Sequence, residues 1–215
     1  MTPAPAPLSL RTPAALVRLL LALSATTGMV DAASLLGMER AFAANVPGNL
    51  AFAALAVAGT PGFAALPCLV ALAAFAAGAA LAGRIGARME RPGQALVRAA
   101  VIESMALILA GVLALWLAQT GALPGRGVLG LIALAAGAAG LRIAVVRRLG
   151  LPDLAAGVNA SLPLHLGALA MFLAGAAGGA ALVLAAGLGP TLLASGAVVL
   201  AATALLLRHP QMSEF

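Results

Sequence analysis

Residues 16–49, LVRLLLALSATTGMVDAASLLGMERAFAANVPGN, decide how this chain must be read. From Leu19 to Leu36 the run is apolar apart from small hydroxyls and one carboxylate, Asp31. A helix-breaking patch, Asn45-Val46-Pro47-Gly48-Asn49, follows among further apolar residues. A run of this length and composition predicts a membrane-spanning helix. A charge and a broken backbone at membrane depth are both costly, and they are tolerated where they face protein or a water-filled cavity. The stretch therefore predicts a polar site inside a membrane protein.

Composition extends that reading to the whole chain. Of 215 residues, 63% are hydrophobic and 8% charged, and the mean hydropathy is +1.12. That leaves too little polar surface to cover a soluble globule. The apolar stretches are helix-length and rich in Ala, Leu and Gly, without the short alternation of a membrane β-barrel. The expected fold class is all-α, a polytopic helical membrane bundle whose first partner is the lipid bilayer. The twelve basic residues are all Arg and stand mostly at the ends of apolar runs. This is a topology signal and not a nucleic-acid footprint. Cys68 is the sole cysteine, which excludes an intrachain disulfide or a Cys metal site and leaves packing as its expected role. Arg11 and Arg18 before an apolar run resemble a signal peptide. Asp31 interrupts that run and no clean small-x-small site precedes a polar mature domain, so cleavage is not expected.

Breakers and charges divide the chain into a Pro-rich tail at 1–13, one membrane domain at 14–208 and a short polar tail at 209–215. Eight apolar elements are expected within it, at about 14–37, 45–59, 64–88, 98–119, 127–147, 152–171, 173–187 and 190–207. The second, sixth and seventh are short for a bilayer that needs about 20 residues per helix. Thr26 to Ala32 resembles Ala138 to Ala144, and Phe75 to Ala80 resembles Phe172 to Ala177. These echoes suggest two half-repeats, about 14–119 and 127–207, although Ala/Gly-rich helices also match by composition alone. If elements two and six re-enter, about six helices cross, and nine Arg (11, 18, 84, 88, 91, 98, 147, 148, 208) face two (40, 126). The positive-inside rule favours this over seven or eight spans. It puts both termini in the cytoplasm and makes the halves an inverted internal repeat with two short or re-entrant half-helices.

Few residues could carry chemistry. Asp31, about 9 Å from the outer end of its helix, is read either as a proton or cation ligand or as a structural carboxylate. In the structural reading it is held by Ser34, by Thr26 or Thr27, or by free N–H groups at the break. Asn45, Pro47, Gly48 and Asn49 read as the start of a half-helix whose positive end suits an anion, with Asp31 nearest, or as an ordinary Asn-capped loop. Asp31, Ser34, Asn45, Gly48 and Asn49 form the candidate substrate site. Asn159, Ser161 and Pro163 are a weaker counterpart. Glu103 and Arg142 have matched depths, roughly 7 Å inside the cytoplasmic boundary. They predict an intramembrane ion pair unless each snorkels independently. His165, alone on an apolar helix, reads as a packed or hydrogen-bonded residue before a metal ligand. Gly78-x-x-x-Ala82, Ala79-x-x-x-Gly83 and Gly175-x-x-x-Gly179 are small-residue ridges, for packing first and for a homo-oligomer second. No catalytic constellation, metal site or cofactor motif is present, so an enzyme is not expected.

Thr27 to Ser34, Phe42 to Asn49 and Ala136 to Ala144 together resemble the YoaK family, bacterial inner-membrane proteins of unknown function. The likeness runs from about Leu16 onward. Asp31, Asn45, Gly48 and Asn49 match that family's G-x-x-D-A and A-N-x-T-G-N motifs. Pro47 replaces the Thr, Arg142 and Ile143 replace a Gln-Asn, and Ala160-Ser161 replaces a second T-G. The resemblance implies a divergent multi-pass inner-membrane protein and supplies no solute. Transport or permeation of a small solute is the leading expectation, with a non-transporting structural or regulatory subunit as the rival.

Overall fold

The computed structural model describes residues 14–86, 92–123, 125–149 and 162–207. Among these it contains only helices: α1 (Ala14–Gly37), α2 (Val46–Val57), α3 (Ala65–Gly86), α4 (Pro92–Gln119), α5 (Arg126–Arg148), α6 (Leu162–Ala186) and α7 (Leu188–Leu207). Six of them are long and apolar enough to cross a membrane, and α2 is not. The chain is a multi-pass membrane protein.

Three boundaries differ from expectation. The separate elements expected at 152–171 and 173–187 do not exist as such, because α6 runs unbroken through Met171-Phe172-Leu173. No glycine or proline interrupts that junction, so nothing breaks the helix there. Of the expected second-half interruption, Asn159 and Ser161 lie outside the described residues. Pro163 sits in the first turn of α6, where the missing N–H costs nothing. In addition, α4 begins at Pro92 and not near Arg98, so Glu103 lies about 16 Å from the start of its helix, deeper than its distance from Arg98 suggests. Gly187 alone joins α6 to α7, with φ +90, a conformation that a side chain would strain.

The helices pack chiefly as α1 on α6, α3 on α5 and α4 on α7, with α4 also on α5 and α1 on α7. Between apolar helices in lipid no hydrophobic force draws them together, so close backbone approach and dispersion decide the seams. Glycines make that approach. A Cβ at Gly28 would fall on the carbonyl oxygen of Phe172, and one at Gly140 on that of Phe75. Likewise Gly175 abuts the carbonyl of Ala25, and Gly78 that of Gly137. Each α1–α6 contact thus has a counterpart in the α3–α5 seam. Across the third seam the contacts are reciprocal: Gly111 abuts Gly189, while Ser104 Oγ donates to Gly196 O at 2.8 Å. Within α1–α6 and α3–α5 the paired helices run parallel, and α4 and α7 run antiparallel. The start of α1, end of α3, start of α4 and end of α5 therefore share one face, which carries Arg18, Arg84, Arg98, Arg147 and Arg148. Arg40 and Arg126 stand at the other.

Many large apolar side chains, including Leu50, Val57, Trp116, Leu173 and Leu184, are left uncovered, as suits a surface in contact with lipid tails. Two of the small-residue ridges are spent inside the chain, since Gly78, Gly175 and Gly179 abut neighbouring backbone, whereas nothing lies near a Cβ added at Gly83 of the third. Cys68 is buried and free.

Candidate functional site

The polar residues collect in two connected places. The first is the turn from α1 into α2. Asp31 is buried on α1, and its Oδ1 accepts a hydrogen bond from the main-chain N–H of Ala44 at 3.0 Å. The helix start itself is served by Asn45, whose side chain accepts from Gly48 N at 2.9 Å, with Pro47 in the first turn. The carboxylate therefore pins the loop entering α2 and does not cap the helix, a division of labour made by Asn45 standing closer. Gly48 is required sterically, since a Cβ there would lie 2.8 Å from the Phe42 ring.

Asn49 closes the same loop from the other side. Its Oδ1 accepts from Phe42 N and its Nδ2 donates to Phe42 O, both at 2.8 Å. Phe42 stacks on Phe52, with ring centroids 5.2 Å apart, and Phe52 meets Phe63 at 5.0 Å. Arg40 lies over Phe63, 5.5 Å from its centroid, and Nη1 donates to Gly62 O. Glu39 and Arg40 hold positive φ of 52° and 60°, a conformation costing roughly 1–2 kcal/mol per non-glycine residue. The latches on both sides hold this strained turn. Replacing Asn49 by Ala leaves two buried main-chain groups unpaired, so a loss of about 1–3 kcal/mol is expected. Amide exchange across residues 41–45 should quicken markedly, and unchanged protection there would show that the aromatic stack alone holds the loop.

Ser34 lies buried one turn beyond Val30 on the same helix. Its hydroxyl donates within its own helix, to Val30 O at 2.9 Å and Asp31 O at 3.1 Å. This is the usual way for a serine in an apolar helix to satisfy its proton.

The second place lies deeper. Arg142 on α5 and Glu103 on α4 are both buried, with Nε 2.6 Å from Oε2 and neither atom hydrogen-bonded elsewhere. Arg142 Nη2 also donates to Thr27 Oγ1 on α1 at 2.8 Å, and Thr27 in turn donates to Leu23 O at 2.7 Å. Thr27 is one helical turn from Asp31 on the same face. A string of polar groups thus runs from the α2 loop through Asp31 and Thr27 to Arg142 and Glu103, and Arg142 links helices of the two halves. Sequence reading had named Thr27 only as a holder of Asp31. Its contact with Arg142 has no sequence signal, because the two lie far apart in the chain.

Elsewhere, His165 has a buried Nδ1 without a hydrogen-bond partner, so it is packed and not hydrogen-bonded at that atom. A groove of about 540 Å³ between α4 and α5 is lined by apolar residues such as Leu113, Trp116 and Leu134, and by no member of the polar string. Among the described residues no three His, Cys, Asp or Glu gather as a metal site would require.

Residues 19–206 match the family model described as "Protein of unknown function (DUF1275)". No curated protein and no solved structure matches the chain.

Proposed function

We propose that this chain, which belongs to the DUF1275 family of proteins of unknown function, moves a small solute across a bacterial inner membrane. The resemblance of Asp31, Asn45, Gly48 and Asn49 to the YoaK motifs supports a position near those proteins within the family. The observation that carries the reading is the buried polar string. Uncompensated charge at membrane depth costs at least about 2.5 kcal/mol on insertion scales. This chain keeps three charged side chains there, each tied to a different helix or to the latched α2 loop. Asp31, Ser34, Asn45, Gly48 and Asn49 are the substrate-side residues of this reading, with Arg142 and Glu103 deeper.

The paired seams support the same reading. Corresponding contacts in α1–α6 and α3–α5, about a reciprocal α4–α7 seam, are what two inverted half-repeats, about 14–119 and 127–207, would produce. Such halves can rock against each other around a central site. The Arg-rich face is the cytoplasmic one under the positive-inside rule. The subunit reading keeps the altered second-half motif in its favour, but two of the three ridges that could bind a second chain, at Gly78 and Gly175–Gly179, are occupied internally.

Purified protein in lipid vesicles, challenged with small neutral, cationic and anionic solutes and followed by light scattering, tests the proposal. For at least one class, wild-type vesicles should equilibrate faster than protein-free ones. Asp31→Asn should slow that flux about tenfold, equivalent to about 1.4 kcal/mol. Wild-type vesicles no more permeable than empty ones to every class would refute transport. Undiminished flux in a folded Asp31→Asn protein would remove Asp31 from the site.

A further inference from the structure

Two carboxylates and one guanidinium occupy the interior. Asp31, Glu103 and Arg142 are exposed by only 4%, 6% and 7%. Arg142 touches Glu103 directly and hydrogen-bonds Thr27, which stands one helical turn from Asp31 on the same face of α1. With every group ionised the cluster would carry a net negative charge in a medium that penalises any unbalanced charge. One added proton makes it neutral.

The remaining charged and titratable side chains on the surrounding elements do not supply the missing positive charge. In α1, α4 and α5 these are Arg18, Arg98, Arg126, Arg147 and Arg148, all toward helix ends. Arg148 is engaged with Gly83 O at 2.7 Å. In α3 they are Cys68 and Arg84, in α6 His165, and in α2 and α7 there are none. Glu39 and Arg40 in the turn are exposed, and Arg40 is held by Gly62 and Phe63.

We propose that Asp31 and Glu103, linked through Arg142 and Thr27, form one proton-binding unit that holds about one proton per chain, and that the proton is the coupling ion of the transport described above. Only the coupling rests on the transport reading; the proton-binding unit stands without it. A metal cation is the poorer occupant. It needs several oxygen ligands, whereas Asp31 Oδ1 faces the Ala44 N–H and Glu103 Oε2 faces a guanidinium. A metal would have to strip both and sit against the Arg142 charge. A proton needs one free lone pair. On Asp31 it also weakens the acceptor that pins Ala44, so proton occupancy acts on the latched, strained turn into α2.

The charge count makes an unusual prediction. Removing either acid leaves one carboxylate and one guanidinium, already neutral, so the surviving acid should stay ionised. Infrared difference spectra of the reconstituted protein, taken while pH is lowered, read the carbonyl stretch of a protonated buried carboxyl. Wild type should show such a band. Asp31→Asn and Glu103→Gln should each abolish it, although each leaves an acid behind, and Arg142→Gln should increase it about twofold because both acids then take protons.

No band in wild type would overturn the proposal. So would a band lost in one amide variant and unchanged in the other, which would mean a single acid acting alone. Should one amide variant fail to fold, the other and Arg142→Gln still decide, since their expected changes have opposite signs. The spectra need no solute. A band without solute flux would refute coupling and transport but support the unit, and flux without the band would refute the unit alone.

Discussion

Arg142→Gln is expected to destabilise the folded chain by about 3–5 kcal/mol, the usual cost of removing one partner from a buried ion pair. Glu103 lies against Arg142 Nε at 2.6 Å with both side chains almost fully enclosed. Without the guanidinium the carboxylate must carry an unbalanced charge or take up a proton. Thr27 also loses the donor that ties α1 to α5. Replacing both residues, as Glu103→Gln with Arg142→Gln, should recover most of the loss, because a neutral pair of similar shape leaves no charge buried. Denaturation midpoints in detergent micelles for the two single variants and the double variant form a complete cycle. Additive effects would mean that the two side chains do not depend on each other.

Gly28→Ala and Gly140→Ala are expected to be comparably severe, for a purely steric reason. Each new Cβ would fall on a main-chain carbonyl, of Phe172 in one seam and Phe75 in the other. A backbone group inside a helix cannot rotate aside as a side-chain end can, so the helices must part. Overpacking alone costs about 1–3 kcal/mol. The loss should be larger here, because contacts along the rest of the seam weaken as the helices separate and lipid offers no compensating hydrophobic force. Gly130→Ala and Gly178→Ala are the controls. Nothing lies near either added carbon, and Ala favours a helix interior over Gly by about 1 kcal/mol, so both should match or exceed wild type in thermal stability. If Gly28→Ala and Gly140→Ala melt together with these controls, the seams are not as tight as their geometry requires.

The membrane-spanning helices were legible in composition, because the demand for long, uncharged, self-satisfied helices is set by the bilayer and not by neighbouring elements. The start of α2 was legible in Asn45, Pro47 and Gly48, since capping and proline chemistry act within a few residues. Asp31, Glu103 and Arg142 stood out singly, because an ionisable side chain in an apolar run is conspicuous wherever it points. Matched depth already pointed Glu103 toward Arg142, a pair the structure contains; tertiary structure decided the remaining partners. Asp31 binds the main-chain N–H of Ala44, and a backbone donor has no sequence signature. Thr27 meets Arg142 because the packing of α1 and α5 on other helices brings their polar faces within side-chain reach, a consequence of non-local seams. The expected division near Phe172 misread local chemistry: residues 171–173 contain no breaker, and the helix continues through them. Local rules thus determined what each segment is, and the close glycine seams between distant segments determined which buried charges meet.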